Sequence, residues 1–311
     1  MRIIFMGTPA FAVSSLSAIQ AAGHNIIYVV TVPDKSQGRG LISQPSSVKQ
    51  YALGHNIPIL QPDNLKNPEF LKTITEANAD LIVVVAFKVL PPEVYNKPRY
   101  GAINLHASLL PKYRGAAPIN WALINGEIET GVTIFFLKEK VDTGDILLQK
   151  KLVIDKEDDF GSLYYKLANL GAKTLVDALE IIERGSYSLI QQNDSEATPA
   201  PKITKDLCKI EWTKSSFEIH NLVRGLSPTP GAFTYLNGKL IKIFKTKPTD
   251  ENADFNLAGR LLIIKSRLFV HTSDKLLEIL SLQSEGRKKM TAAEFINGLK
   301  ERKGLQFRNI M

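Results

Sequence analysis

The chain of 311 residues contains one cysteine, Cys208. No intrachain disulfide can form, so a reducing compartment, the cytoplasm, is expected. Cys208 has no nucleophile motif around it and reads as a structural or incidental thiol. No apolar run approaches the roughly 18 residues a membrane span requires; the run over 81–87 stops at Lys88. The opening Met1-Arg2-Ile3-Ile4-Phe5 enters a strand at once, without the charged segment and apolar core of a secretory leader. Neither a His-Glu-x-x-His motif nor a Cys/His cluster occurs, so no catalytic metal is expected. Gly7-Thr8-Pro9, at the first strand–helix turn, keeps only the first glycine of a dinucleotide fingerprint, and Pro9 removes an amide that could cradle a pyrophosphate. Asp34 after the second strand is then weak support for a nicotinamide dehydrogenase.

Residues 1–204 also lack net charge, with 20 Lys and Arg against 20 Asp and Glu. Residues 205–311 hold 19 against 11, the whole of the +8 net charge. An uncharged first part joined to a basic last third points to a polyanion bound by the latter. Ordinary surface solubility is the blander account of the same excess.

What is present is two kinds of periodicity. Two domains are expected at this length. Over residues 1–150, short β-branched runs (2–6, 26–32, 58–60, 81–87, 101–106) alternate with helical stretches (45–53, 68–78). That alternation predicts a parallel sheet covered by helices. A strand pair over 132–137 and 146–154 and a long amphipathic helix over 160–184 complete the first part. An aperiodic stretch, 191–204, with Pro199 and Pro201, reads as a linker between a domain over 1–190 and another over 205–311. The last part reads as a short helix near 216–226, then five strand-like runs. Asn237-Gly238 between the first two is a hairpin signal. Five short strands suggest a small barrel of the OB type, a frequent nucleic-acid platform.

The chemistry is concentrated in Asn104-Leu105-His106-Ala107-Ser108-Leu109-Leu110-Pro111. Period-two alternation puts Asn104 and His106 on one side of a strand. Downstream, Val141-Asp142-Thr143-Gly144-Asp145 sets an acid on a turn. An amide donor, an imidazole and a carboxylate are the parts that stabilise an oxyanion and move a proton in acyl transfer. On residues alone, His106 also reads as a core histidine, Asn104 as a strand-end cap, and Asp142 or Asp145 as a turn residue.

This pattern resembles the formyltransferases that use 10-formyltetrahydrofolate. The likeness extends over Ile3-Ile4-Phe5-Met6-Gly7-Thr8-Pro9, Gly38-Arg39-Gly40, Thr130-Gly131-Val132-Thr133 and Asp142-Thr143-Gly144-Asp145, in order. With the C-terminal third included, the chain is similar to those family members that act on methionyl initiator tRNA. Phe87-Lys88-Val89-Leu90-Pro91 departs from the family's Tyr-Gly at the wall of the folate pocket. The resemblance implies a Rossmann-like catalytic domain followed by an OB-like β-barrel, in a monomer. It implies Asn104, His106 and Asp142 as catalytic residues, with Asp142 selected over Asp145. It implies Ser108, Leu109, Leu110 and Pro111 at the folate, with 10-formyltetrahydrofolate as formyl donor. It implies Arg39, and second to it Lys35, at the tRNA acceptor end, with no metal and no membrane partner. Glycinamide-ribonucleotide or sugar-nucleotide formyltransferases and formylfolate hydrolases share the same triad; the basic C-terminal part discriminates. An idle tRNA- or folate-binding module is disfavoured by the complete polar triad.

Overall fold

The computed structural model describes residues 1–37, 42–299 and 304–308, and leaves the side chains of 35–37 and 42–43 undescribed. Gly38-Arg39-Gly40 and the Lys35 side chain lie outside the described residues. Contacts divide the chain into two compact units: Met1–Ala116 with Glu129–Val153 and Tyr164–Ala200, and Ala117–Ile128 with Ile154–Leu163 and Pro201–Met311.

The elements run β1 (Arg2–Gly7), α1 (Ala10–Ala21), β2 (Asn25–Val30), β3 (Lys35–Gln37), β4 (Ile42–Gln44), α2 (Ser47–Gly54), β5 (Ile59–Leu60), α3 (Pro68–Glu76), β6 (Leu81–Val85), α4 (Pro92–Tyr95), β7 (Ala102–His106), α5 (Pro118–Ile124), β8 (Glu129–Phe136), β9 (Ile146–Val153) and α6 (Phe160–Arg184). The seven-stranded sheet of the first unit has the order β5-β2-β1-β6-β7-β8-β9. β6, Leu-Ile-Val-Val-Val, is buried at all five positions. That is why it reads as a continuous apolar run and not as an alternation. On one face, Ile4, Met6, Ile82 and Val84 pack with Phe70 and Ile74 of α3 and Val94 of α4. α3 starts where it does because Pro68 takes the first turn and the Asn67 side chain accepts the Glu69 and Phe70 amides. Gly7 is required by packing: an added Cβ would stand 2.8 Å from the Ala12 Cβ and 3.0 Å from the Val85 carbonyl.

The sheet is mixed, not wholly parallel. β5, β2, β1, β6 and β7 are parallel, while β8 pairs antiparallel with β7 and with β9. Residues 137–145 join β8 to β9 as a short turn, which is too short for a crossover and so reverses the chain. The β6 strand also ends earlier than its apolar run, because Ala86 turns into the left-handed region at φ 49°.

The second unit adds α7 (Ser216–Leu226), β10 (Ala232–Leu236), β11 (Lys239–Asn252), β12 (Leu261–Ile264), β13 (Arg267–His271), β14 (Lys275–Ser284), β15 (Met290–Thr291) and α8 (Ala292–Asn297). The five expected strands form an antiparallel sheet, β10-β11-β14-β13-β12, with β15 on β14. Asn237 and Gly238 both have positive φ, 50° and 76°, as a type I′ hairpin requires. Closure comes from an aperiodic segment. Leu305 and Phe307 bond to the β12 edge through Leu261 and Gly259, while Arg308 exchanges two bonds with Tyr235 of β10. Both free edges are thereby paired, and the sheet closes as a small barrel. Its core stacks Trp212 on Phe307 with ring centroids 5.3 Å apart, and the Trp212 indole donates to the Thr234 hydroxyl. Cys208 lies in this core with its thiol on the Thr204 carbonyl, and burial pushes its pKa up. That is the setting of a structural thiol.

Candidate active site at the end of β7

β7 lies between a parallel and an antiparallel neighbour, with Asn104 beside Val84 and Phe135, and His106 beside Thr133. Leu105 points toward α6, where an added Cβ on Gly171 would meet it at 2.7 Å. Alternation then turns Asn104 and His106 to the opposite face. The Asn104 carboxamide has no hydrogen-bond partner among the described residues and is partly exposed. His106 is 6% exposed and its Nε2 donates to the Tyr113 carbonyl at 2.8 Å. That bond leaves Nδ1 as the ring atom facing Asp142, whose Oδ2 is 3.8 Å away. At that distance the pair is electrostatic rather than hydrogen-bonded, and Nδ1 is free to meet a substrate atom.

Asp142 is 8% exposed, and its Oδ2 accepts the Gly115 amide at 2.9 Å. Its backbone sits at φ 55°, a left-handed conformation uncommon for a residue with a side chain. Asp145, the other acid of the turn, pairs instead with Lys138 at 2.7 Å. The fold therefore brings Asp142 to His106 and turns Asp145 to a surface ion pair.

The four residues after the histidine form a tight polar turn. The Ser108 hydroxyl is fully buried and donates to the Lys112 carbonyl. The Thr133 hydroxyl donates to the Ser108 carbonyl and accepts the Leu110 amide, while Gln149 donates to the Leu110 carbonyl. Leu109 packs on Gly131, and Leu110 on Phe135 and Ile146. Ser108 thus holds the shape of this turn, and the apolar side chains of Leu109 and Leu110 line its neighbourhood.

Sequence reasoning missed the residues that hold the acid. Residues 191–200, aperiodic and read as a linker, are pinned to 113–115: the Arg114 amide donates to Thr198, Ala200 donates to Arg114, and Tyr113 donates to the Thr198 hydroxyl. Gln192 from this segment reaches the Asp142 turn. No local signal marks it, since its partners are 48 to 78 positions away.

In the second unit the lysines of β11 are not a uniform row. A register shift between Ile243 and Thr246 breaks the alternation. Lys242 donates to the Pro230 carbonyl, Lys245 pairs with Glu157 at 2.8 Å, and Lys289 lies 5.0 Å from the Phe244 ring centre.

The profile described as "Formyl transferase" matches residues 1–179, and "Formyl transferase, C-terminal domain" matches 202–300. A methionyl-tRNA formyltransferase of Flavobacterium johnsoniae is 45% identical over 304 residues, covering 96% of each chain. One of Caldanaerobacter subterraneus subsp. tengcongensis is 46% identical over 300 residues, covering 96% of this chain and 97% of its own. Among solved structures, an N-formyltransferase from Helicobacter canadensis, in complex with folinic acid and dTDP-3-aminofucose, has a TM-score of 0.66 at 22% identity, covering 93% of this chain and 100% of its own. HypX from Aquifex aeolicus in complex with tetrahydrofolic acid has a TM-score of 0.65 at 20% identity and covers 100% of this chain, which spans 51% of it. At such identity these two speak for the fold alone. With both profiles matched in order and near-full-length relatives at 45–46% identity, the chain belongs to the methionyl-tRNA formyltransferase family.

Proposed function

We propose that this enzyme transfers the formyl group of 10-formyltetrahydrofolate to the α-amine of methionyl initiator tRNA, for translation initiation, with Asn104, His106 and Asp142 as its catalytic residues. One observation carries the site reading: a buried imidazole and a buried carboxylate stand 3.8 Å apart at the end of a strand whose same face carries a carboxamide with no hydrogen-bond partner among the described residues. An imidazole and a carboxylate buried together without a hydrogen bond between them leave capacity for a substrate atom.

The bound folate supplies the formyl carbon on N10. The α-amine of the methionyl ester attacks that carbon, the C–N10 bond breaks, the amine gives up a proton and N10 receives one. During attack, negative charge gathers on the formyl oxygen. Asn104 donates one hydrogen bond to it. His106, faced by Asp142, donates a second from Nδ1, since Nε2 is held by Tyr113. One such donor is typically worth ~10²–10³ in rate. Asp142 faces the imidazole and takes part in removing the amine proton through water. Ser108, Leu109, Leu110 and Pro111 are the folate contacts the resemblance implies, with the buried Ser108 and Leu110 holding the shape of their turn. Arg39, with Lys35 as a second contact, positions the tRNA acceptor end, while residues 205–311 hold the tRNA through their basic excess.

The test is formyl transfer to charged initiator tRNA, compared with uncharged tRNA, elongator methionyl-tRNA and glycinamide ribonucleotide. Transfer to the first alone is expected. Equal or faster transfer to glycinamide ribonucleotide would replace this reading with a small-molecule one.

A further inference from the structure

We infer that Gln192 is a positioning residue for the reaction, acting through Asp142; the inference rests on the catalytic reading of that acid. Gln192 is 8% exposed. A carboxamide has two N–H donors and one oxygen with two lone pairs. Here all are engaged: Nε2 donates to the Asp142 carbonyl at 2.9 Å and the Gly144 carbonyl at 2.8 Å. Oε1 accepts from Arg114 Nε at 3.1 Å and Nη2 at 2.8 Å. Arg114 continues to Asp194 at 2.7 Å.

The two carbonyls that Gln192 gathers bracket the turn carrying the catalytic acid. Asp142 stands at φ 55°, so this turn does not rest in an ordinary backbone basin by itself. Gly144 is clamped as well, since a Cβ there would overlap the Phe136 carbonyl. From the other side, the Gly115 amide fixes the Asp142 carboxylate, and Tyr113 fixes His106. Arg114 lies between those two residues and holds Gln192. One backbone segment thus holds the imidazole and the carboxylate, and Gln192 ties the carboxylate's turn to it. Gln192 touches no side chain of the catalytic set; it sets where the Asp142 carboxylate stands relative to His106 Nδ1.

A displacement of about 1 Å in a catalytic group can cost ~10²-fold in rate. Two variants separate positioning from bulk packing. Gln192→Met keeps the volume and removes the four hydrogen bonds. Gln192→Glu keeps the Arg114 contact and sets an acceptor against the two carbonyls. Both are made in the full-length enzyme, alone and with Asp142→Asn, and assayed with 10-formyltetrahydrofolate and methionyl initiator tRNA alongside thermal unfolding midpoints. The expected result is kcat lowered about 10–10²-fold in both single variants, with KM for either substrate within about twofold. In the Asp142→Asn background, the same substitutions are expected to cost no further rate, because the group they position is gone. A normal kcat in both single variants, with Asp142→Asn inactive, would overturn the role of Gln192 and leave the catalytic reading standing. Additive losses in the double variants, or raised KM with a lowered unfolding midpoint, would make Gln192 a packing residue. An active Asp142→Asn enzyme would overturn both readings at once.

Discussion

The end of β7 and the C-terminal barrel bury polar side chains in similar ways but to different ends. In the barrel, the buried Thr234, Thr272 and Glu278 spend their capacity on the fold. Thr234 accepts the Trp212 indole, Thr272 bonds Asp274 and Lys275, and Glu278 takes a bidentate bond from Arg267. At the end of β7, Ser108, Thr133 and Gln192 are spent in the same manner. Asn104 and the 3.8 Å gap between His106 and Asp142 are not. Burial of a polar group therefore does not by itself mark a functional site. Charge divides the chain differently. The first 204 residues are balanced and the rest carry the excess.

The strongest test of this contrast is catalytic. His106→Ala and Asn104→Ala are each expected to lower kcat by at least ~10²-fold while folate binding is largely kept. Asp142→Asn is expected to be nearly inactive, whereas Asp145→Asn, which loses only the Lys138 pair, retains activity. Steady-state kinetics with both substrates decides. Near-normal turnover without Asn104 or His106 would leave the unspent groups without a role.

The charge contrast is tested by salt. A cut at the 191–204 segment is not a clean one, since Ala117–Ile128 and Ile154–Leu163 belong to the C-terminal unit. Charge removal in the full chain serves instead. Any of Lys239, Lys247, Arg287 and Lys288 that touches a tRNA phosphate is expected, once replaced by Gln, to flatten the slope of log affinity against log salt by roughly 0.7–0.9. An unchanged slope in the fourfold Gln variant would assign the basic excess to solubility.

The barrel's spent groups should appear in stability alone. Burial, chiefly, holds His220 at a pKa of about 4, against an ordinary 6.5. The unfolded chain therefore takes up a proton that the folded one refuses. Stability is fully present above pH 6.5 and declines as pH falls toward 4, by an amount of order 1–3 kcal/mol. His220→Gln should remove that decline without changing kcat. Denaturant midpoints at pH 7.5 and at pH 4.5, compared between the two proteins on the order of a 1 kcal/mol difference, measure it. The smallest effect belongs to the hairpin. Gly238→Ala forces a side chain to φ 76° in open space, and should cost about 1 kcal/mol with activity intact.

Much of the architecture was legible because periodicity reports burial. The runs over 2–6, 81–87 and 101–106 became β1, β6 and β7, and Asn237-Gly238 became the turn between β10 and β11. α5 was missed because its seven residues, Pro118–Ile124, are too few to declare a helical period. α8 is shorter still, six residues behind a capping box of Thr291 and Glu294. The reversal at β8 was hidden for another reason: a strand buried on both faces, as β8 is, looks alike whether parallel or antiparallel.

By itself, the sequence determined which residues share a strand face, which part of the chain carries positive charge, and that an amide, an imidazole and an acid stand close in chain order. Those properties depend on neighbours a few positions away. Only the tertiary structure decided that Asp142 rather than Asp145 faces His106, that residues 305–308 close the barrel, and that Gln192 holds the Asp142 turn. Each of these is a hydrogen bond or charge contact between atoms a few ångströms apart, made by residues up to 78 positions apart in the chain. Such a bond leaves no period in the sequence, because a glutamine in an aperiodic segment reads the same whether it meets water or two buried carbonyls.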